Sequence, residues 1–295
     1  MRTSLLSLLL PAIALACGGH GTPETLVVST SWLAAHLKDT NLVILAVGEK
    51  GDYDAGHIPG SQFLVYQEIY QAGPTGLKTE LPPMSKLAEV FGRYGVSSDS
   101  RVVVYRLKDW LTPTARTLLT LDAMGLGKNA SMLDGSLATW TAEGNPVTKE
   151  VPTVKPGKIE TCAQNDVIAE LEFVKSNLHT SGVRILDARA PEIYTGKNAR
   201  PGMPAGHIDG AGNLHYDTLV DDKTQKLKPI AELKEMFTKA GVKPGDKVVT
   251  YCFIGQQASA LYWMARLAGY DARMYDGSWD EWTQHPELPT ATGDK

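Results

Sequence analysis

Short apolar runs alternate along this chain with segments that carry an apolar stripe at helical spacing. The runs are short enough for strands and are almost uniformly apolar, which is typical of parallel strands buried on both faces. They lie at residues 41–47, 101–105, 183–188 and 247–251. The segments before the second and fourth runs keep an i, i+3, i+4, i+7 stripe and predict amphipathic helices. The stripes consist of Leu87, Val90, Phe91 and Tyr94, and of Leu233, Met236, Phe237 and Ala240. Gly95 and Gly241 then occupy positions where helices commonly end.

The pattern occurs twice in the chain. Residues 85–106 match residues 231–252 at a constant offset of 146, so the second half repeats the first. Two further pairs match, namely "AGHIPG" (55–60) with "AGHIDG" (205–210) and "MLDGSLATW" (132–140) with "MYDGSWDEW" (274–282). Solenoid repeats have periods of about 20–50 residues, so this longer period indicates a duplicated domain.

Strands that alternate with helices of this length predict parallel α/β units. We therefore expect two tandem α/β domains, each a small parallel sheet with helices on both faces. The expected bounds are a leader and tether at 1–23, a domain at 24–143, a linker at 144–158 and a second domain at 159–295. The linker, "GNPVTKEVPTVKPGK", is rich in Pro, Lys and Val and is typical of a semi-stiff connection.

The composition argues against nucleic-acid binding, a disulfide-rich scaffold and a cysteine-only zinc site. A net charge of −4 with scattered basic residues gives no positive field for nucleic acid. The chain has 3 cysteines, too few for a disulfide-dense scaffold or a cysteine-only zinc site. No second Cys or His lies within a few residues of Cys252, so we expect neither a metal nor another cofactor.

The N-terminus has the three regions of a secretory signal. Arg2 precedes an apolar stretch, and small residues follow before Cys17. The apolar stretch is shorter than the about 20 residues that span a membrane. Cleavage after Ala16 would release a soluble protein, whereas the same residues resemble an imperfect bacterial lipobox with lipid on Cys17. We expect an exported, periplasmic protein with a lipid anchor at Cys17, followed by the flexible stretch "GGHGTPE".

The stretch "YCFIGQQAS" (251–259) places Cys252 between a predicted strand and a predicted helix, at the strand end where such sheets bind ligands. A helix N-terminus carries unpaired N–H groups and positive potential. Gly255 permits a tight loop whose N–H groups point inward and would stabilise a thiolate, the nucleophilic form of cysteine. We expect the helix to begin at Ala258.

Four motifs in order carry a resemblance to a known family. They are "LDARAPEIYTG" (186–196), "AGHIDGA" (205–211), "YCFIGQQAS" (251–259) and "YDGSWDEW" (275–282). The second half resembles the rhodanese family, and the whole chain resembles the two-domain thiosulfate sulfurtransferases. The resemblance implies a persulfide mechanism, in which Cys252 takes sulfur from a small anionic donor such as thiosulfate and passes it to a thiophilic acceptor, cyanide or a thiol. A monomer is expected.

The resemblance also implies roles for individual residues. Asp187 and Arg189 fall on a D-x-R motif, and Arg189 would bring positive charge to the thiolate and a planar donor set to thiosulfate oxygens. His207 is interpreted as structural. The residues whose amides would line the pocket are Phe253, Ile254, Gly255, Gln256, Gln257 and Ala258.

The chain departs from the family in two places. Phe253 and Ile254 stand where many thiosulfate-specific members have basic residues, which weakens thiosulfate as the physiological donor. In the first half Arg106 replaces the cysteine, and Ala46 and Gly48 replace the D-x-R residues. We therefore expect an inert first domain in which Arg106 is a solvated remnant.

Other functions stay open at this point. A non-catalytic rhodanese-like binding or sulfur-carrier module would share the fold, although such modules usually lose the cysteine that this chain keeps. A cysteine-dependent phosphatase needs an arginine six positions after the cysteine, where this chain has Ala258. Cys162 lacks a charged or glycine-rich setting and is interpreted as structural.

Overall fold

The fold is known from a computed structural model that describes residues 20–73, 76–108, 110–164 and 166–294. The strands of the first half are β1 (Val27–Val28), β2 (Leu42–Val47), β3 (Gln62–Phe63), β4 (Arg101–Arg106) and β5 (Ala130–Ser136). Those of the second half are β6 (Ile168–Ala169), β7 (Val183–Asp187), β8 (His207–Ile208), β9 (Gly212–Asn213), β10 (Lys247–Tyr251), β11 (Asp271–Tyr275) and β12 (Thr290–Ala291). The four apolar runs predicted as strands are therefore β2, β4, β7 and β10.

The helices separate the strands as the sequence predicts. In the first half they are α1 (Pro23–Leu26), α2 (Thr30–His36), α3 (Lys50–Ala55), α4 (Met84–Arg93), α5 (Leu111–Ala123) and α6 (Leu137–Ala142). In the second half they are α7 (Leu171–Ser176), α8 (Pro191–Tyr194), α9 (Ile230–Lys239), α10 (Gln256–Leu267) and α11 (Ser278–Trp282). Short 3-10 helices cover Tyr66–Ile69, Gly127–Asn129 and Tyr216–Leu219. The glycines predicted to end α4 and α9 are confirmed, because Gly95 has φ 81° and Gly241 has φ 93°.

Each half contains one parallel sheet with the same topology. The strand order is β1-β5-β4-β2-β3 in the first sheet and β6-β11-β10-β7-β9 in the second, while β12 and β8 form a separate antiparallel pair. The central strands are fully buried, as in β4, where Val103, Val104 and Tyr105 have no exposed surface. Helices cover both faces of each sheet, which confirms the predicted α/β class.

The two domains share a core. Helices α5 and α10, which follow β4 and β10, pack against each other across the boundary, and one buried apolar cluster includes Leu118 and Leu119 of α5 with Trp263 and Met264 of α10. The Tyr262 hydroxyl donates to Asp122 Oδ2 of the first domain at 2.6 Å. The pair is buried, so the tyrosine stays protonated, its pKa raised by burial and by Asp122. This boundary therefore resembles a domain interior, and the two halves are held as one unit.

The linker runs along the first domain and is hydrogen-bonded to it. The Gly157 amide donates to Gly92 O at 2.8 Å, and the Glu160 amide donates to Ser98 Oγ at 2.8 Å. The contact continues past the expected end at 158, since the Cys162 amide donates to Met124 O at 3.1 Å. The path is extended without helix or strand, as the composition predicts for a stiff connection.

The segment expected to be a flexible tether is instead docked where the structure describes it. The His20 ring lies between Asp122, 2.8 Å away, and Asp166, 3.1 Å away, and the hydrogen bond to Asp122 raises the His20 pKa. Gly21 O accepts a bond from Arg266, and α1 begins two residues later. The expectation of flexibility is wrong for residues 20–24, because Asp122 and Asp166 bind His20 and Arg266 binds Gly21.

The candidate lipidation residue, Cys17, and the apolar leader lie outside the described residues. Among the residues that are described, no helix combines the length and the apolarity needed to cross a bilayer.

Candidate active site

The cysteine stands at the edge where two neighbouring strands end. Tyr251 of β10 pairs with Asp187 of β7, and Cys252 is the next residue. Its side chain is 1% exposed and carries a free thiol. Cys162, in contrast, is disulfide-bonded, in agreement with the structural role interpreted for it. Within the described part of the chain, Cys252 is thus the thiol available for chemistry.

The loop after Cys252 forms the start of α10. The helix begins at Gln256, two residues before the predicted start at Ala258, because Gly255 in the left-handed conformation (φ 80°) already serves as its N-cap. The Ser259 hydroxyl donates to Gly255 O at 2.8 Å, and the Thr250 hydroxyl donates to Ala258 O at 3.0 Å. Both bonds fix the loop to its own strand and helix.

The amides of the loop are available to a ligand. Within the described residues, the N–H groups of residues 253–257 have no hydrogen-bond partner. They precede or open a helix of 12 residues, whose dipole adds positive potential at this end. The arrangement matches the predicted anion cradle and suits a thiolate or a second anionic sulfur beside it.

Helix α11 holds the loop from the other side. The Cys252 amide donates to Ser278 Oγ at 3.1 Å, while the amides of Trp279 and Asp280 donate to the carbonyls of Cys252 and Phe253 at 3.0 and 2.9 Å. Ser278 has φ 53°, an unusual value for a residue other than glycine. The motif "YDGSWDEW" therefore has a physical role, because it aligns the backbone on both sides of the thiol.

Arg189 is bound to the protein rather than presented to a substrate. Its Nε lies 2.9 and 3.0 Å from the two carboxylate oxygens of Asp187, and its Nη2 donates to Asp187 at 2.5 Å and to Gly206 O at 2.8 Å. The guanidinium is 1% exposed and lies over the rings of Trp279 and Phe253, at 4.8 and 5.1 Å. Within the described residues, Asp187 and Gly206 thus take up Nε and Nη2, and Nη1 is the nitrogen left for the donor set expected at thiosulfate. Burial opposes the charge, but Asp187 and, to a smaller extent, Cys252 raise the pKa of Arg189, so the guanidinium stays charged beside the loop.

The structural role interpreted for His207 is confirmed. The ring is fully buried, its Nδ1 is 2.8 Å from Tyr194 O, and it stacks on the Tyr194 ring at 3.7 Å. His57 repeats the arrangement in the first domain with Tyr53. A histidine with the same packing in the half without a cysteine serves the fold rather than the chemistry.

The first domain contributes residues to this site that the sequence did not indicate. Arg116 of α5 is fully buried and binds Asp276, just after β11, at 2.6 Å from Nη1 and 3.0 Å from Nη2. A Cβ on Gly255 would lie 3.1 Å from Arg116 Nη1, so the guanidinium touches the loop. The Thr79 hydroxyl donates to Ile254 O in the same loop. A comparison of the two halves does not reveal Arg116 and Thr79 as site residues, because both lie in the half that lacks the cysteine.

Arg106 corrects another expectation. It is 2% exposed instead of solvated; its Nε donates to Gly135 O at 3.3 Å and its Nη2 donates to Gln225 O of the second domain. A polar cavity of about 330 Å³ lies between the domains here and is lined by Arg106 and Tyr216, among others. Burial raises the pKa of Tyr216, and the Gln257 side chain of the catalytic loop acts against that rise. Arg106 therefore closes the boundary between the domains.

Comparison with known proteins shows the family to which both halves of the chain belong. Residues 29–143 and 170–285 each match the family "Rhodanese-like domain". The chain is 31% identical to the sulfur carrier protein TtuD of Thermus thermophilus over 94% of this chain and 100% of that protein. It is 30% identical to the thiosulfate sulfurtransferase of Pseudomonas aeruginosa over 90% of this chain and 96% of that protein.

A solved structure has the same fold over nearly its full length. SseA of Escherichia coli, whose title names the "Rhodanese" fold and the catalytic mechanism of 3-mercaptopyruvate sulfotransferases, superposes with a TM-score of 0.74 and 25% identity. The match covers 86% of this chain and 99% of SseA. Among the described residues, no group of His, Cys, Asp and Glu side chains could hold a metal ion.

Proposed function

Because the chain belongs to the rhodanese-like domain family and is a sulfurtransferase of that type, we propose that it moves a sulfane sulfur from thiosulfate or a related donor to cyanide or a thiol, through a persulfide on Cys252. The observation that supports this most directly is the free, buried thiol beside the unpaired amides of residues 253–257. The side chains of residues 253–257 are uncharged, so the loop offers its backbone amides to an anion.

Two balanced half-reactions describe the transfer. The Cys252 thiolate attacks the outer sulfur of thiosulfate, the new S–S bond forms as the old one breaks, and sulfite leaves with the electron pair. Cyanide then attacks the outer sulfur of the Cys252 persulfide, thiocyanate leaves, and the thiolate is restored. The negative charge stays on sulfur next to the amide cradle in both steps, and ping-pong kinetics are expected.

The identity of the sulfur donor depends on which groups of the site can bind it. Phe253 and Ile254 bring no charge to the loop, and Arg189 is occupied by Asp187. An anionic donor therefore depends on backbone amides and the helix dipole rather than on a side-chain clamp. These groups accept thiosulfate and mercaptopyruvate alike, and relatives named for each donor exist.

A second function is favoured by one relative. TtuD is named a sulfur carrier protein, and its similarity extends over 94% of this chain. A carrier would form the same persulfide on Cys252 but would deliver the sulfur to a protein acceptor instead of turning over with cyanide.

The experiment begins with intact mass after incubation with thiosulfate or with mercaptopyruvate. We expect a gain of one sulfur on the wild type and none on Cys252→Ser, since a serine hydroxyl forms no persulfide. Thiocyanate production then separates an enzyme from a carrier. A Cys252→Ser variant that folds normally and keeps activity within tenfold of wild type would refute the nucleophile.

We also propose export, with lipid on Cys17. The feature that supports lipid is the apolar stretch that ends in Ala14, Leu15 and Ala16 directly before Cys17. Detergent partition of wild type and Cys17→Ser distinguishes a lipid anchor from soluble release, because only the lipid-bearing protein enters the detergent phase. A wild type that partitions to the aqueous phase overturns the anchor and leaves a soluble exported protein.

A further inference from the structure

The second domain has an insertion that the first domain lacks. The D-x-R position and the AGHI motif are 18 residues apart in the second half, at 187 and 205, but 9 apart in the first half, at 46 and 55. The second half therefore has nine additional residues, 196–204, which include the stretch "NARPGMP" (198–204). The insertion is found in the half that keeps the cysteine.

Hydrogen bonds hold the insertion beside the catalytic loop. The Met203 amide donates to Arg200 O at 3.0 Å, which closes a turn. The indole N–H of Trp279 donates to Pro204 O at 3.1 Å. Since the Trp279 amide also donates to Cys252 O, one residue of α11 binds both the insertion and the loop. The position of the insertion is therefore fixed relative to the thiol.

The insertion places an arginine over the residue that follows the nucleophile. The Arg200 Cζ lies 3.8 Å from the centre of the Phe253 ring, which is 7% exposed, whereas Arg200 itself is exposed. Among the described residues, no carboxylate or carbonyl binds this guanidinium. Arg189, whose Cζ lies 5.1 Å from the same ring, is in contrast paired with Asp187.

An anion meets little other unpaired positive charge here. The chain has a net charge of −4, and Arg116 beside the loop is paired with Asp276. The Phe253 amide is among the loop amides available to a ligand, so one phenylalanine side chain separates that amide from the Arg200 guanidinium. An exposed charge acts over about 8 Å at physiological ionic strength. Positive charge beside a site raises the local concentration of anions and speeds their association.

We propose that Arg200 is a specificity-determining residue that attracts anionic sulfur donors to the Cys252 loop. Its charge acts on the capture of the donor and leaves the chemical step unchanged. The attraction grows with the charge of the donor, so it favours the thiosulfate dianion over the mercaptopyruvate monoanion. The role toward sulfur donors rests on the proposed function, whereas the attraction of anions to the thiol does not. The insertion thus supplies the positive charge that Phe253 and Ile254 do not bring.

The test compares alkylation of Cys252 by iodoacetate and by iodoacetamide, which attack the same thiolate but differ by one negative charge. The variants are Arg200→Gln and Arg200→Lys in the full chain. Arg101→Gln is the matched control, because the Arg101 guanidinium also lies over an aromatic ring, that of Trp32 at 4.0 Å, but at the start of β4 in the first domain. It removes the same charge and the same kind of ring contact.

At an ionic strength of about 0.01 M, we expect Arg200→Gln to lower the iodoacetate rate about five- to tenfold and to leave the iodoacetamide rate unchanged. Arg200→Lys and Arg101→Gln should keep the wild-type ratio of the two rates. The effect of Arg200→Gln should disappear at about 1 M salt, where charges are screened within about 3 Å. An unchanged ratio in Arg200→Gln at low salt, or an equal fall in Arg101→Gln, overturns the proposal.

Kinetics with sulfur donors extend the test to the proposed reaction. Arg200→Gln should raise the KM for thiosulfate more than the KM for mercaptopyruvate and leave kcat unchanged, because only capture of the anion is weakened. A fall in kcat with no change in KM contradicts a role in capture. If the wild type takes no sulfur from either donor, the proposed function fails, and the alkylation ratio still decides the role of Arg200.

Discussion

At the scale of single residues, the site depends on which charges are already paired. Arg189 and Asp187 neutralise each other beneath the loop, and Arg116 and Asp276 do so beside it. The thiol at Cys252 is therefore surrounded by fixed, satisfied ions and by unsatisfied backbone amides. Such a setting stabilises an anion without drawing it into a salt bridge, and the sulfur stays reactive.

We predict that Arg189→Met destabilises the protein by about 3–5 kcal/mol, because it leaves the Asp187 carboxylate buried and unpaired. Arg200→Met is the matched control, since the Arg200 guanidinium also lies over the Phe253 ring, at 3.8 Å, but on the exposed surface. Denaturant unfolding of both variants gives the comparison. Equal losses in the two variants would contradict a structural role for the Asp187–Arg189 pair.

At the scale of elements, the short connection from β10 into α10 carries the chemistry. The strand ends at Tyr251, the helix begins at Gln256, and Gly255 turns the chain between them. A Cβ on Gly255 would come within 2.5 Å of Asp276 Oδ1 and 2.9 Å of Asp276 O. The close approach of the loop to Asp276 therefore requires glycine for space as well as for φ.

We predict that Gly255→Ala lowers both stability and sulfur transfer. Gly269→Ala provides the control at the other end of α10, because Gly269 has a similar φ of 87° but no atom within 4 Å of its Cβ position. The control variant should lose about 1–2 kcal/mol from backbone strain alone and keep its activity. Gly255→Ala should lose more and slow persulfide formation at least tenfold, measured by single turnover. Equal behaviour of the two variants would show that the clash is relieved without moving the loop.

At the scale of the whole molecule, the two domains form one unit because ion pairs cross their buried boundary. The Arg116–Asp276 pair joins them inside, where the Arg116 side chain is fully buried, and the Lys226–Glu143 pair joins them at the surface, at 2.8 Å. The first domain covers the catalytic loop through Thr79 and Arg116. The inert half is therefore part of the site.

We predict that Arg116→Met costs about 3–5 kcal/mol and splits thermal unfolding into two transitions, since Asp276 is left uncompensated at the boundary. Lys226→Met removes an ion pair that also bridges the domains but is exposed, and it should cost less than about 1 kcal/mol. Calorimetry of both variants gives the number of unfolding transitions and the Tm of each. A single transition at the wild-type Tm in Arg116→Met would show that apolar packing alone holds the halves together.

The sequence alone determined the duplication, the α/β class, the strands β2, β4, β7 and β10, and the place of Cys252 at a strand end. These features follow from local rules, namely apolar periodicity and the conformational freedom of glycine, so they can be predicted without knowledge of the contacts. The sequence pattern predicts the start of α10 two residues too late, because Gly255 is itself the N-cap, and this depends on a dihedral angle rather than on a residue pattern.

Only the tertiary structure decided which distant groups meet at the catalytic loop. Thr79 and Arg116, which contact Ile254 and Gly255, lie more than a hundred residues away in the sequence, and no local pattern marks them. The same holds for Arg106, which is buried against Gln225, and for His20, which lies between Asp122 and Asp166. Each of these side chains has its role because folding brings distant parts of the chain together, and burial strengthens the hydrogen bonds and ion pairs that form there.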